Sequence, residues 1–263
     1  MTQTTRVPWW QGPWLALFFV VFTLSIVIFL WLFLIPRHRR EPWAARLGMP
    51  CWTWLMQAML FRATSRIIGA EHLPQTRRGF LMIANHESVA DIWLLAHYLR
   101  PGFLMKASLL LSPIGWGAYL SGGVPVHRGA KESRERAIER TLTMATRSTP
   151  MLAFLEGTFG HEDGTLRAPH LNLLRHAYDR GLPVLPVGHA GCRRAMNGDT
   201  LPLAFKAALV LVLRPVVQPA AHPDREAFAA ACWQEVVRAV AVARAEVPRG
   251  WPYDGERAAA GRL

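Results

Sequence analysis

At 263 residues the chain has room for one α/β domain plus a membrane element. Its 30 Lys and Arg against 18 Asp and Glu leave a formal charge of +12, which calls for an anionic partner. The three widely spaced cysteines, Cys51, Cys192 and Cys232, exclude a disulfide framework and a zinc site and read as reduced thiols.

Arginine supplies nearly all of the positive charge, since Lys106, Lys131 and Lys206 are the only lysines. No arginine-aromatic ladder or nucleic-acid module is present, so nucleic acid is not the expected partner. An anionic membrane surface attracts each nearby Lys or Arg by roughly 1 kcal/mol and accounts for the charge better. Arginine-rich codon usage on a solvated face is the bland alternative.

The first 13 residues read as a tail. Trp14 to Ile35 is an unbroken uncharged stretch of 22 residues, and about 20 suffice to cross a bilayer core of ~30 Å. A cleaved signal peptide would have a shorter apolar region and a small-residue cleavage site; Ile35-Pro36-Arg37-His38 offers none, so 14–35 is expected to be a retained transmembrane helix. Trp9, Trp10 and Trp14 on one flank and Trp31 and Trp43 on the other suit interfacial belts. Arg37, Arg39, Arg40 and Arg46 follow the span, against Arg6 before it. That bias predicts a single-pass protein of the cell inner membrane with its carboxyl-terminal domain in the cytoplasm.

Residues 36–66 read as a basic juxtamembrane segment, helical from Trp43 to Arg66, lying against lipid or against the domain's own core. An α/β domain is expected over 67–250, with 251–263 a tail. Ile67-Ile68-Gly69 begins the sheet, Pro74 to Gly79 is a loop, and Phe80-Leu81-Met82-Ile83-Ala84 is a buried strand. A helix over Asp91–Leu99 follows. Lys131–Arg147 is a surface helix, with Ile138, Leu142 and Ala145 on one face and Glu132 and Arg136 paired four residues apart. It leads into the strand Met151–Leu155. A helix over Leu171–Arg180, ended by Gly181, precedes the strand Leu182–Val187. Leu209–Leu213 is a further strand, and Ala227–Val247 is a closing amphipathic helix started by Asp224. Strands alternating with helices make the class α/β.

The most informative stretch is Asn85-His86-Glu87-Ser88-Val89-Ala90-Asp91. In a regular helix, residues five apart diverge by roughly 140°. His86 and Asp91 can therefore meet only if His86 sits in the turn before the helix. There the carboxylate can hold one ring nitrogen while the other takes a proton from a substrate hydroxyl. Taken alone, such a spacing is an ordinary structural one. Asn85 is read as a helix cap, and backbone N–H groups near this turn as oxyanion donors. No Gly-x-Ser-x-Gly elbow occurs, so no serine nucleophile is indicated. His161, His170, His176 and His189 match no zinc spacing, and neither a metal nor a cofactor is expected.

Three more segments follow in order: Gly122-Gly123-Val124-Pro125-Val126-His127-Arg128, then Phe154-Leu155-Glu156-Gly157-Thr158, then Leu182-Pro183-Val184-Leu185-Pro186-Val187. With these four blocks the chain resembles the membrane-bound glycerolipid acyltransferases, the lysophosphatidic acid acyltransferase family, from about Phe80 to Val187. The resemblance implies a central mixed sheet flanked by helices. It also implies transfer of a fatty acyl group from acyl-CoA or acyl-carrier protein to a lyso-lipid hydroxyl beside the bilayer. On it, His86 and Asp91 are catalytic, Arg128 contacts the acceptor head group, Glu156 helps place the acceptor, and Gly157 and Thr158 shape its pocket. Lys106 attracts the donor's phosphates or is simply solvated. The fourth block lines the acyl or acceptor pocket or is a core strand.

Three positions depart from the family pattern. Leu155 stands for a proline, His127 for an aspartate, and Phe159 for an arginine tied to acceptor phosphate. An aromatic ring cannot neutralise a phosphate. Arg167, Arg193 and Arg194 are the candidates to compensate from other loops. The departures keep open a lyso-lipid with another head group as the acceptor, and also a non-catalytic membrane protein that binds lipid or acyl carrier.

Overall fold

The computed structural model describes residues 49–55, 63–76, 78–161, 163–195 and 207–247, with scattered positions between 12 and 39. The expected transmembrane helix over 14–35 lies largely outside the described residues, as does the tail 251–263. Among the described residues no helix is long and apolar enough to cross a membrane.

Helix α1 (Met49–Leu55) precedes strand β1 (Thr64–Ile68). Next come β2 (Leu81–Ala84), α2 (Ala90–Leu99), β3 (Gly102–Lys106), α3 (Pro113–Leu120) and β4 (Val124–Val126). Helix α4 (Lys131–Arg147), β5 (Met151–Phe154), α5 (Asn172–Asp179) and β6 (Val184–Ala190) follow. The short α6 (Cys192–Ala195), β7 (Ala208–Leu213) and α7 (Arg225–Glu246) complete the order.

The strands form one sheet in the order β1-β7-β6-β2-β5-β3-β4. From β6 to β4 every neighbouring pair is parallel. β7 runs antiparallel to β6, and β1 runs parallel to β7, so these two strands are reversed. This is the mixed sheet flanked by helices that the resemblance implied.

β2 lies at the centre, and its four side chains are fully buried. Leu81 and Ile83 join a core with Ala153, Leu174, Phe228 and Val236. Met82 and Ala84 point to the opposite core, with Trp93, Leu95, Leu185 and Leu211. A strand covered on both faces needs apolar residues at every position, which is why this segment reads as a continuous run with no alternation.

Two local devices set helix ends. The Asp224 carboxylate accepts from the N–H groups of Glu226 (2.9 Å) and Ala227 (2.8 Å), starting α7. Arg100, in the left-handed region at φ 50°, closes α2.

The helical reading of Trp43 to Arg66 is corrected at its end: Met49–Leu55 is helical, but Thr64-Ser65-Arg66 already belongs to β1, and residues 56–62 lie outside the described ones. The β-branched residues of β1 are held by pairing with β7, where Ile67 faces Leu211. Strands β3 and β4 were not expected. β3 starts on a glycine and ends on a charge, and β4 is three residues long with a proline at its centre, so neither gives a periodic signal.

Helix α7 packs directly on β6 at Gly188. A Cβ there would lie 2.4 Å from the Val240 nitrogen and 2.5 Å from the carbonyl carbon of Ala239. Both obstacles are helix backbone, which cannot rotate away. Gly188→Ala is therefore expected to destabilise the fold by about 1–3 kcal/mol, read as a fall in urea midpoint with little change in m-value.

Candidate active site

Because five strands run in one direction, their carboxyl ends share one edge of the sheet, where open α/β sheets place their ligands. Asn85 and His86 follow β2, Lys106 ends β3, and His127 and Arg128 follow β4. Glu156 follows β5, and Cys192 and Arg193 follow β6. The first three blocks, distant in sequence, meet along this edge.

His86 stands in the turn between β2 and α2, and its Nδ1 lies 2.8 Å from Asp91 Oδ2. The same carboxylate oxygen accepts from the main-chain N–H of Glu87 (2.5 Å) and of Ser88 (3.0 Å). Asp91 is fully buried, and these donors keep it ionised and aimed at the ring. With Nδ1–H given to the carboxylate, Nε2 keeps its lone pair; no hydrogen bond to a described group engages it. The ring stacks on Phe154, centroids 3.9 Å apart at 10°, and Phe159 meets its edge at 4.6 Å. His86 is thus a base walled by aromatic carbon, its side chain 16% exposed.

One expectation for this turn fails, and a second is narrowed. Asn85 does not cap α2: its side-chain amide donates to the His189 carbonyl (3.1 Å) and its oxygen accepts from the His189 N–H (2.9 Å). Four amides about the turn, among those expected to meet an oxyanion, are engaged within the protein. His86 N–H goes to Glu156, those of Glu87 and Ser88 go to Asp91, and that of Ala90 goes to Ser88 Oγ.

Glu156 is 3% exposed, and both its oxygens bind main-chain amides. Oε1 accepts from His86 N–H at 2.8 Å and Oε2 from Arg167 N–H at 2.7 Å. Gly157, at φ 71°, turns the chain in a region that favours glycine. A Cβ there would also stand 3.0 Å from the His170 ring. Thr158 is exposed.

Three guanidinium groups reach this turn: Arg128 from beyond β4, Arg193 from α6, and Arg167 from farther along the same β5–α5 connection. Arg128 donates to the Gly157 carbonyl. Arg167 Nε donates to the Phe159 carbonyl at 2.8 Å, and Arg193 donates to that of Gly160 at 2.8 Å. Lys106 is exposed at the end of β3, and His127 is exposed with its N–H on Ser133 Oγ. The fourth block is part of β6, all of whose residues are buried.

A family model described as Acyltransferase matches residues 64–190, which span β1 to β6 and carry every group described above except those of α6. Over this segment the chain is similar to the acyltransferase family.

Curated proteins similar to this chain carry acyltransferase names. A 1-acyl-sn-glycerol-3-phosphate acyltransferase of Chlamydomonas reinhardtii is 35% identical over 109 residues, 41% of this chain and 32% of that protein. A lyso-ornithine lipid O-acyltransferase of Pseudomonas aeruginosa is 35% identical over 112 residues, 42% of this chain and 43% of that protein. The chain thus spans less than half the length of these curated relatives. The crystal structure of the 1-acyl-sn-glycerophosphate (LPA) acyltransferase PlsC of Thermotoga maritima has the same fold. Its TM-score is 0.68 at 21% identity, covering 88% of this chain and 98% of that one.

Two of the buried carboxylates, Asp91 and Glu156, respond to pH in opposite senses. Burial pushes the Asp91 carboxyl up, but His189, His86 and the Ser88 N–H outweigh it, and the net shift is downward. Its contribution to stability is present above the unfolded value of ~3.9 and is lost as pH falls through the lower folded value. Burial raises Glu156 despite the Arg167 and His86 amides. Its contribution is complete below ~4.3 and is lost as pH rises through the raised folded value.

Behind the dyad, Glu87, Asp91, His189 and Cys192 are all buried and bring one ligand-type atom each within 4.8 Å of the others. The donor types suit a transition metal. However, Asp91 Oδ2 already serves His86 and two amides, and His189 Nε2 lies 2.8 Å from the Asn85 carbonyl oxygen. A cation seated there would compete with His86 for the carboxylate. Burial raises the Cys192 thiol well above its ordinary range, and the neighbouring Asp91 and Glu87 charges add to this.

Sequence reasoning missed Phe154 as the stacking partner of His86, Ser88 as a donor to Asp91, and His189 beneath the turn. The signal for Ser88 was present in the block itself. His189 is separated from Asn85 by 104 residues and gave none.

Proposed function

We propose that this protein moves a fatty acyl group from an acyl-CoA or acyl-carrier-protein thioester to a hydroxyl of a lyso-lipid, with His86 as general base. The observation that carries this reading is the 2.8 Å contact of His86 Nδ1 with the buried Asp91 carboxylate, which leaves Nε2 unengaged.

The acceptor hydroxyl loses its proton to Nε2 as its oxygen attacks the thioester carbon. Asp91 stabilises the imidazolium that forms. The tetrahedral intermediate collapses by breaking the C–S bond, and the proton on His86 passes to the departing sulfur. The products are an ester and a free thiol, with no covalent enzyme intermediate. Phe154 and Phe159 keep water from the ring, which favours transfer over hydrolysis.

The acceptor carries an anionic group, phosphate or carboxylate, read by guanidinium groups that replace the arginine absent at position 159. Arg128, Arg167 and Arg193 each engage one loop carbonyl and keep further donors. Lysophosphatidic acid and lyso-ornithine lipid both meet this requirement, and the names of the relatives favour them as first tests. Arg167→Ala is expected to raise the acceptor KM about tenfold or more while altering the donor KM little, measured by steady-state kinetics in mixed micelles.

The apolar run 14–35 and the arginines after it support a location in the inner membrane with the domain in the cytoplasm, where thioester donors are made. Protease protection of spheroplasts and inverted vesicles tests the orientation.

The deciding assay follows free thiol from acyl-CoA or acyl-carrier protein with purified full-length protein. Thiol is expected only when an acceptor lipid is added. Lipid binding without thiol release under every donor and acceptor combination would replace this reading with the non-catalytic one.

A further inference from the structure

We propose that His189 is a positioning residue for the base: its imidazole holds the Asn85–His86 peptide from below and moderates the pull of the Asp91 carboxylate on His86. This rests on the reading of His86 as the base.

His189 lies one residue from the end of β6 and is fully buried. Its Nε2 is 2.8 Å from the Asn85 carbonyl oxygen and 3.7 Å from Asp91 Oδ2. The peptide just before the base is thus clamped at both polar atoms. Its carbonyl accepts from His189, and its N–H donates to Glu156 at 2.8 Å. The Asn85 side chain completes the clamp by bonding the His189 main chain in both directions, just past the last β2–β6 pair, Ala84 with Val187.

A space-filling role does not account for this ring. Its immediate neighbours along β6 are Val187, Gly188 and Ala190, where an apolar side chain would be at home, and its Nδ1 is buried with no hydrogen-bond partner. An imidazole carrying an unpaired atom is retained here for what Nε2–H does. The other ionisable groups around the clamp are Glu87 in the turn, Asp91 on α2, Glu156 after β5 and Cys192 on α6. The Arg193 main-chain N–H also reaches Glu87, at 3.3 Å.

His189 Nε2–H, bonded to the Asn85 carbonyl, stands 3.7 Å from the same Asp91 oxygen that meets His86, and its dipole offsets part of the charge that would otherwise act on His86. Its loss predicts a specific sign. In His189→Leu the dyad stays together but Asp91 bears harder on His86, so the acidic limb of the kcat profile moves to higher pH. We expect kcat to fall about 10- to 100-fold through misplacement of the base, with both KM values within threefold. His189→Gln, which keeps an N–H at similar reach, restores most of the rate.

The measurement is kcat and KM against pH for wild type, His86→Ala, His189→Leu and His189→Gln, beside NMR titration of the His86 ring signals. A limb and a ring titration that move to lower pH, or do not move, overturn the proposal, because a merely loosened turn takes the carboxylate away from His86. Full turnover by His86→Ala sinks the assignment of the base, and this inference with it. An active wild type, a dead His86→Ala and a wild-type-like His189→Leu sink this inference alone. Where His189→Leu is too slow to assay, the direction of the NMR titration shift decides.

Discussion

His86→Ala is expected to lower kcat by about 10²- to 10⁴-fold, the range that a positioned general base supplies, while the protein still folds. The separation is possible because the architecture uses His86 through its main chain. Its N–H binds Glu156 at 2.8 Å, and its carbonyl accepts from Gly160 N–H at 2.7 Å. Truncation removes neither bond. What goes is the ring, its stacking on Phe154 and its contact with Asp91. Thiol release in the presence of acceptor lipid gives the rate, and a thermal melt shows whether the fold survives. Retained turnover with a verified acceptor would falsify the base assignment.

Glu156→Ala is expected to act on fold and rate together. Its carboxylate is the acceptor for His86 N–H and Arg167 N–H, and it is buried. Removal leaves two buried donors unsatisfied at about 1–3 kcal/mol each. For a domain of this size, each kcal/mol lowers Tm by roughly 2–4 °C. A fall in Tm of about 5 °C or more is therefore expected, with turnover reduced because the peptide bearing His86 loses one of its two anchors. Glutamine does not rescue fully. It has a single acceptor oxygen, so its NH₂ group must face one of the two amides. A Glu156→Gln protein with wild-type stability and rate would contradict this account of the carboxylate.

How much of the fold and site is legible in the sequence depends on whether a feature is local. The central strand, helices α2 and α4 and the Asp224 cap were legible because each is declared by neighbouring residues. The meeting of His86 and Asp91 was legible for the same reason, since a spacing of five forces the histidine out of the helix. β4 was hidden because three residues carry no period. The Asn85–His189 clamp was hidden because parallel pairing joined residues more than a hundred positions apart. Asn85 misled for a physical reason. An asparagine before a helix is a good cap, but here its amide bonds along the sheet and extends the β2–β6 contact. Phe159 was read as a lost charge. In three dimensions it is also a wall for the imidazole, and Arg193 from a distant segment and Arg167 from the same connection both donate to its turn.

The reversal of β7 and β1 carries a consequence for where the molecule faces. Thr64 pairs with Ala208 at the start of β7, and Val210 pairs with Ala190 at the end of β6. The polypeptide therefore joins its own sheet on the rim that holds the imidazole. Anything tethering the residues upstream of Thr64 draws that rim, and not the opposite one, toward the attachment point. A greasy acceptor held in the same surface then needs to rise only a short way to meet the base.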